Sequence, residues 1–273
     1  FGVWVDADVG TATDDYVGCD VQRGLGYSYN GDAVDEPSNS SIGYGENPPA
    51  VGIDFFEGPY QDSDSIDNPL TTNFGNAIDS LGIPYEGIGI GYGDDIVDNE
   101  RFGMRRFVYY NNSNNPINGE PATPLHFYNY MNGVWKNGQK MAYGGDGVNA
   151  STGANLDVSC DYMFPGDTDP FNWGTGGTTV EPWTEVTSGN PPADRRFIQA
   201  AGPFTLEPGD YNNITMGVVW ARATAGDPEE SVKLMRIADD KAQALFDNCF
   251  EIVSGPDAPD VTVQELENEL ILY

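Results

Sequence analysis

Histidine is almost missing from this chain: His126 is the only one among 273 residues. A nucleophilic centre of the Ser-His-Asp or Cys-His kind therefore has one candidate base. That base lies between Leu125 and Phe127 in PLHFYNY, where an aromatic strand would use it for packing. A histidine-rich zinc site is excluded by count. Basic residues are scarce too, with 12 lysines and arginines against 43 acids and a formal charge of −31. Such a surface repels phosphate backbones and anionic lipid heads and attracts cations, so nucleic acid is not an expected partner. No apolar run approaches the roughly 18–20 residues of a bilayer span, so membrane insertion is not expected either. The three cysteines, Cys19, Cys160 and Cys249, form no CxxC pair. Their spacing leaves open one disulfide with a free thiol, or three buried thiols. No secretory leader is visible. FGVWVD opens as if inside a strand and ELILY closes as if interrupted, so the chain reads as a piece of something longer, truncated at its N-terminus.

What is present in quantity is turn chemistry. With 34 glycines, 19 prolines and 15 tyrosines, the text reads as short strands joined by tight turns. Strands are expected at FGVWV, DYVGC, LGYSYN, AVGIDFF, within FGMRRFVYYN, and to Ala200 in RRFIQA. Another is expected near PFTLEPG, and ITMGVVWARA is apolar enough for a central strand. LHFYNYMNGVWKNGQKMAYGG alternates and turns at two Asn-Gly pairs, which reads as a hairpin. At Asp227 the period changes. Asp227 is an N-cap, Pro228 the first helical position, and Glu229 and Glu230 lie in the first turn. Val232, Met235, Ile237, Ala238, Ala242, Leu245 and Phe246 share a face, predicting one helix over about 228–247 that packs on a sheet. Little else suggests a helix. The expected fold is mainly β: an antiparallel β-sandwich over 1–254 with long Gly/Pro/Asn/Asp-rich loops and one C-terminal helix. A linker around Pro256 should follow, and residues 255–273 resemble the opening strands of an Ig-like or fibronectin-III-like module.

Four stretches, DADVGTATDDYVGCDVQRGLGYSYNGD, ENPPAVGIDFFEGP, RRFIQAAGPFTLEPGD and MRIADDKAQALFDNCF, carry a resemblance. Together, and in this order, they are similar to a recurrent, largely uncharacterised region of large secreted proteins of Bacteroidota, many of which are cargo of the type IX secretion system. The resemblance implies export, an extracellular or cell-surface location and a modular neighbour. It brings no catalytic residues.

Site chemistry is sought in three acidic groups. The opening loop holds Asp6, Asp8, Asp14, Asp15 and Asp20 with no lysine or arginine among them. Calcium takes about six to eight oxygens, and short Asp-x-Asp loops supply them. The spacing is not an EF-hand, and the alternative is a solvated acidic turn. A second group is Asp94, Asp95, Asp98 and Glu100, which Arg101, Arg105 and Arg106 are placed to neutralise. A third is Asp161, Asp167 and Asp169 in a Gly/Pro loop. Asp54 and Glu57 are the least unsuitable carboxylate pair for a glycosidase, against the plainer reading of a strand end. Trp135, Trp173 and Trp183 offer either a sugar-stacking platform or core packing. The expected function is a non-catalytic extracellular module stabilised by structural calcium, with a structural, adhesive or assembly role and other surface proteins or glycans as partners. The alternative is a carbohydrate-binding or carbohydrate-active module with a tryptophan-lined surface.

Overall fold

Alternating apolar residues in the short strands give each sheet a face to bury, and two antiparallel sheets bury theirs against one another. The computed structural model describes residues 1–38, 41–69 and 89–251, with the backbone of 263–266 and 269–272. The elements are β1 (Gly2–Val5), β2 (Asp15–Asp20), β3 (Leu25–Asn30), β4 (Val34–Asp35), β5 (Gly45–Glu46), β6 (Ala50–Glu57), β7 (Arg106–Asn111), α1 (Pro124–Met131), β8 (Ala142–Tyr143), β9 (Asn155–Ser159), α2 (Glu185–Ser188), β10 (Arg195–Ala200), β11 (Thr215–Ala221), α3 (Pro228–Asp247), β12 (Val263–Leu266) and β13 (Glu269–Leu272). One sheet has the order β1-β10-β7 and the other β11-β6-β3-β2. All of these pairings are antiparallel.

The sandwich core lies between them. Phe107 and Phe197 of the first sheet, with ring centroids 5.0 Å apart, share a cluster with Val17, Cys19 and Phe55 of the second. Full burial of one such side chain contributes about 1.5–3 kcal/mol. Gly26 lets the sheets approach, because a Cβ there would lie 2.3–2.9 Å from Gln199, Phe107 and Phe197. Alternation along β6 then sends Ile53 and Phe55 inward and Ala50 and Gly52 outward, toward α3. A Cβ on Gly52 would meet the Met235 sulfur at 2.9 Å. A second apolar cluster, with Leu25, Tyr27, Val219, Val232 and Met235 among its members, fills the space under the helix. The result is a β-sandwich with a helix laid on its outer face.

The expected strands at β1, β2, β3, β6, β7 and β10 are present. So is the helix at 228–247, where the Asp227 side chain accepts from the Glu229 N–H at 3.0 Å. Its buried stripe is Ser231, Val232, Met235 and Asp239, while Ile237 and Leu245, expected on that face, are exposed. Other expectations are corrected. LHFYNYM is not a hairpin arm but α1, because Thr123 caps the His126 N–H and Pro124 occupies the first turn. Asn132 ends that helix and Gly133, at φ +66°, turns the chain away from it. Only the second Asn-Gly pair keeps a hairpin-like turn, with an isolated Val134–Lys140 bridge. His126 is thus a half-buried helix residue whose Nδ1 accepts from the Ala122 N–H. PFTLEPG forms no strand. β11 is an edge strand, not a central one, and Val218 and Trp220 on it are exposed. β12 and β13 pair with each other, and the expected linker around Pro256 lies outside the described residues.

Long loops are held to the sandwich by phenols. Tyr16, Tyr109, Tyr130 and Tyr162 donate to the carbonyls of Asn190, Asp146, Gly119 and Met104. The fully buried Glu185 accepts from Arg195 through both oxygens and from the Val17 N–H, which ties α2, β10 and β2 together.

Candidate metal centre

The β1–β10 register, Val5 opposite Phe197, delivers Asp6 and Asp8 to the entry of β10. The Ala193 N–H donates to the Asp15 carbonyl, and Asn112 donates to Asp194 through its backbone and side-chain nitrogens. These bonds fix Asp194 beside the opening loop. Carboxylate oxygens of Asp6, Asp8 and Asp194 lie within 4.8 Å of one another. Arg196 is the base at this group, 2.9 Å from Asp6, 3.8 Å from Asp194 and 2.7 Å from Glu120. Oδ1 of Asp194 is buried and has no hydrogen-bond partner. Burial pushes the Asp8 carboxyl up, and the negative charges of Asp6 and Asp194 push it further, against the pull of Arg196.

The five opening aspartates do not form one site. Asp14 and Asp15 turn into a second neighbourhood with Asp35, which itself caps the Thr11 and Tyr44 N–H groups. Asp15 is fully buried and accepts from the Val9 N–H at 3.1 Å, with its other oxygen unpartnered. Burial pushes it up to about 8, eased by the Val9 bond and reinforced by Asp14, Asp8 and Asp35. Asp14 is raised as well, first by burial. Asp20 belongs elsewhere: it is fully buried and paired with Arg23 and Arg236, each at 3.0 Å. The bases missing from the opening loop therefore come from further along the chain, from Arg196 for Asp6 and from Arg23 and Arg236 for Asp20.

The other two acidic groups do not gather as metal groups among the described residues. In the second, the carboxylates of Asp94, Asp98 and Glu100 each accept from nearby N–H groups. Asp94 accepts from the Ile96 N–H and the Asn99 amide, Asp98 from the Asp64 and Ser65 N–H groups, and Glu100 from the Asn68 N–H. The Asp95 N–H donates to Asp67. Of the arginines expected to neutralise them, Arg101 goes to Glu57 and Arg106 to Asp161. The third group is divided likewise. Asp161 pairs with Arg106, Asp169 caps Trp173 and Gly174, and Asp167 is exposed. Acids in such loops are more useful to unpaired backbone N–H groups than to an ion.

Trp135, Trp173 and Trp183 are buried, at 0 %, 6 % and 3 % exposure, so they pack the core and form no sugar platform. Of the proposed glycosidase pair, Glu57 is engaged by Arg101 at 3.7 Å and by the Thr215 hydroxyl, while Asp54 is buried. All three cysteines are free thiols; Cys19 and Cys160 are buried and Cys249 is exposed. Asp194 was not legible locally, since only strand pairing between distant segments brings it to the opening loop. No described helix is long and apolar enough to cross a membrane. The chain matches no family model, no curated protein and no solved structure.

Proposed function

We propose that this domain is a non-catalytic module of a large secreted or cell-surface protein, stabilised by calcium, with a structural, adhesive or assembly role. The observation that carries the reading is the convergence of Asp6, Asp8 and Asp194. Arg196 pairs with Asp6, Asp194 and Glu120, and its charge also acts on Asp8, so among the described residues one guanidinium faces four carboxylates and a cation of more than one charge is accommodated without excess. Hard, flexible oxygen sites of this kind suit calcium. An ion there ties the end of β1 to the start of β10, and thereby closes one edge of the three-stranded sheet. The extracellular setting rests on the sequence resemblance. It agrees with the mechanism, since a ligand set assembled only by folding is filled only after the chain reaches a calcium-rich medium.

The test is thermal unfolding with and without chelator, together with metal content by mass spectrometry. An ion held at a hundred times its Kd stabilises by about 2.7 kcal/mol, so chelation should lower Tm by several degrees. Asp8→Asn combined with Asp194→Asn should abolish the calcium response, and neither substitution removes the Asp6–Arg196 pair. A Tm unmoved by calcium, with no metal bound, overturns the proposal.

A further inference from the structure

A cleft of about 300 Å³ opens between the C-terminal half of β6, the β2–β3 turn and the C-terminal half of α3. Its polar lining includes Asp54, Glu57, Arg23, Asp239, Asp240 and Gln243, and Phe56 and Ile90 are apolar members of the lining, which Phe55 and Phe102 also reach from the sandwich core. We propose that this cleft binds a small primary ammonium compound carried on a short apolar stem. This inference does not depend on the calcium reading.

The argument begins with which acids already have partners. Asp240 holds Arg23 through two bonds, at 2.8 and 3.1 Å. Asp20 takes Arg23 and Arg236, and Arg236 also reaches the Tyr27 hydroxyl. Glu57 is held by Arg101. Asp54 and Asp239 are left over. Each is 1 % exposed, and each has a buried Oδ1 with no hydrogen-bond partner among the described residues. Two carboxyls so placed are a liability to folding, because each loses its hydration and the Phe55 N–H at Asp54 and the Arg23 charge near both offset that loss only in part. Their position on the walls of one cleft supplies the reason to keep them.

The chemistry of the occupant follows from what the cleft lacks. An ionised Asp54–Asp239 pair needs positive charge and hydrogen-bond donors together. An ammonium group brings one charge and three N–H donors. The side-chain nitrogen of Gln243 donates to the Phe56 carbonyl and to Asp247, which leaves its oxygen as a third acceptor. The Phe56 ring and Ile90 suit an apolar stem. A divalent ion would want about six to eight oxygens and would gain nothing from those walls. A neutral sugar would bring no charge to let the pair ionise.

Protonation couples to this binding. Burial, above all, raises Asp54 to about 8 and Asp239 to about 7. The facing charges add to it: Asp239 and Asp20 push Asp54 further up, Asp240 and Asp20 push Asp239, and Arg23 from the turn opposes both. An ammonium ligand favours the ionised pair, so binding expels protons and tightens as pH rises.

Calorimetric and NMR titrations with pentylamine and with Nα-acetyl-lysine amide test this, with pentanol, calcium chloride and glucose as comparisons. The amines should bind and pentanol should not, and amine affinity should rise about ten-fold or more from about pH 6 to about pH 8.5. Tighter binding of the free amine points to a metabolite, and tighter binding of the lysine amide to a side chain on another chain; either supports the ammonium site. Asp54→Asn and Asp239→Asn should each weaken binding about ten-fold or more while raising Tm. If a variant fails to fold, the pH profile of the wild-type protein decides. Equal binding of pentanol, binding of calcium or glucose in the cleft without the amines, or an affinity indifferent to pH overturns the proposal.

Discussion

On the inner face of the four-stranded sheet, Val17, Cys19 and Phe55 meet Phe107 and Phe197 across the sandwich. On the outer face of the same sheet, Tyr27 and Asp20 meet Arg236 of α3, and Asp54 lies across from Asp239. Both faces are buried, yet the inner one is mainly apolar, with Ser28 among its polar members and Gln199 facing it, and the outer one mixes phenols, acids and arginines. The apolar side chains of the inner face need only shape and volume, because dispersion and the hydrophobic effect are not directional. The outer face needs partners for each polar atom. Asp20 has them and Asp54 does not, at the same depth in the same sheet. The comparison separates a surface built chiefly for cohesion from one that sets a paired acid and an unpaired one side by side.

The largest expected effect lies on the inner face. Phe107→Ala removes a fully buried ring from the centre of the sandwich and should cost about 3–5 kcal/mol in urea unfolding. A cost near that of an ordinary surface substitution would show that the cohesion lies elsewhere. Smaller and opposite effects should separate Asp20 from Asp54. Asp20→Asn weakens two ion pairs whose arginines still reach water, at a cost of about 1–3 kcal/mol. Asp54→Asn should stabilise, and the gain should depend on pH. The folded state keeps the Asp54 proton up to about pH 8, whereas the unfolded chain releases it near about 4. Native protein therefore binds more protons over that window, and stability falls as pH rises through it. The variant loses this slope, so its advantage should grow from about pH 4 to about pH 8, measured as the difference in urea midpoints. An advantage that shrinks with pH would mean that Asp54 is satisfied after all.

Local signals in the sequence announced most of the strands and the C-terminal helix. Asp227, Pro228, Glu229 and Glu230 announce α3 without help from the rest of the fold. The same kind of signal, Thr123 followed by Pro124, stood before α1. It was outweighed by the alternation of LHFYNYM, where aromatic residues imitate a strand while only Tyr130 is buried. β11 misled in the other direction, because its apolar residues are divided between a buried face and solvent. The candidate sites were less legible, for a plain reason. Asp6 and Asp8 were visible as acids, but Asp194 reaches them only through the β1–β10 pairing. Asp239 had a local clue: Ser231, Met235 and Asp239 recur every fourth residue on the buried stripe, and an acid on such a stripe marks a position that packing alone does not explain.

The phenol bonds that hold the loops have a consequence for light absorption. Burial raises the Tyr16, Tyr109, Tyr130 and Tyr162 hydroxyls above their ordinary value, and each donates its proton to a loop carbonyl, the one for Tyr130 lying in the loop that leads into α1. An unfolded chain ionises its tyrosines near about pH 10, so above that value alkali favours unfolding, and losing one such bond frees both a phenol and a loop. The ultraviolet band of tyrosinate should therefore grow in step with the loss of structure, making these buried tyrosines an intrinsic dye for the release of the loops.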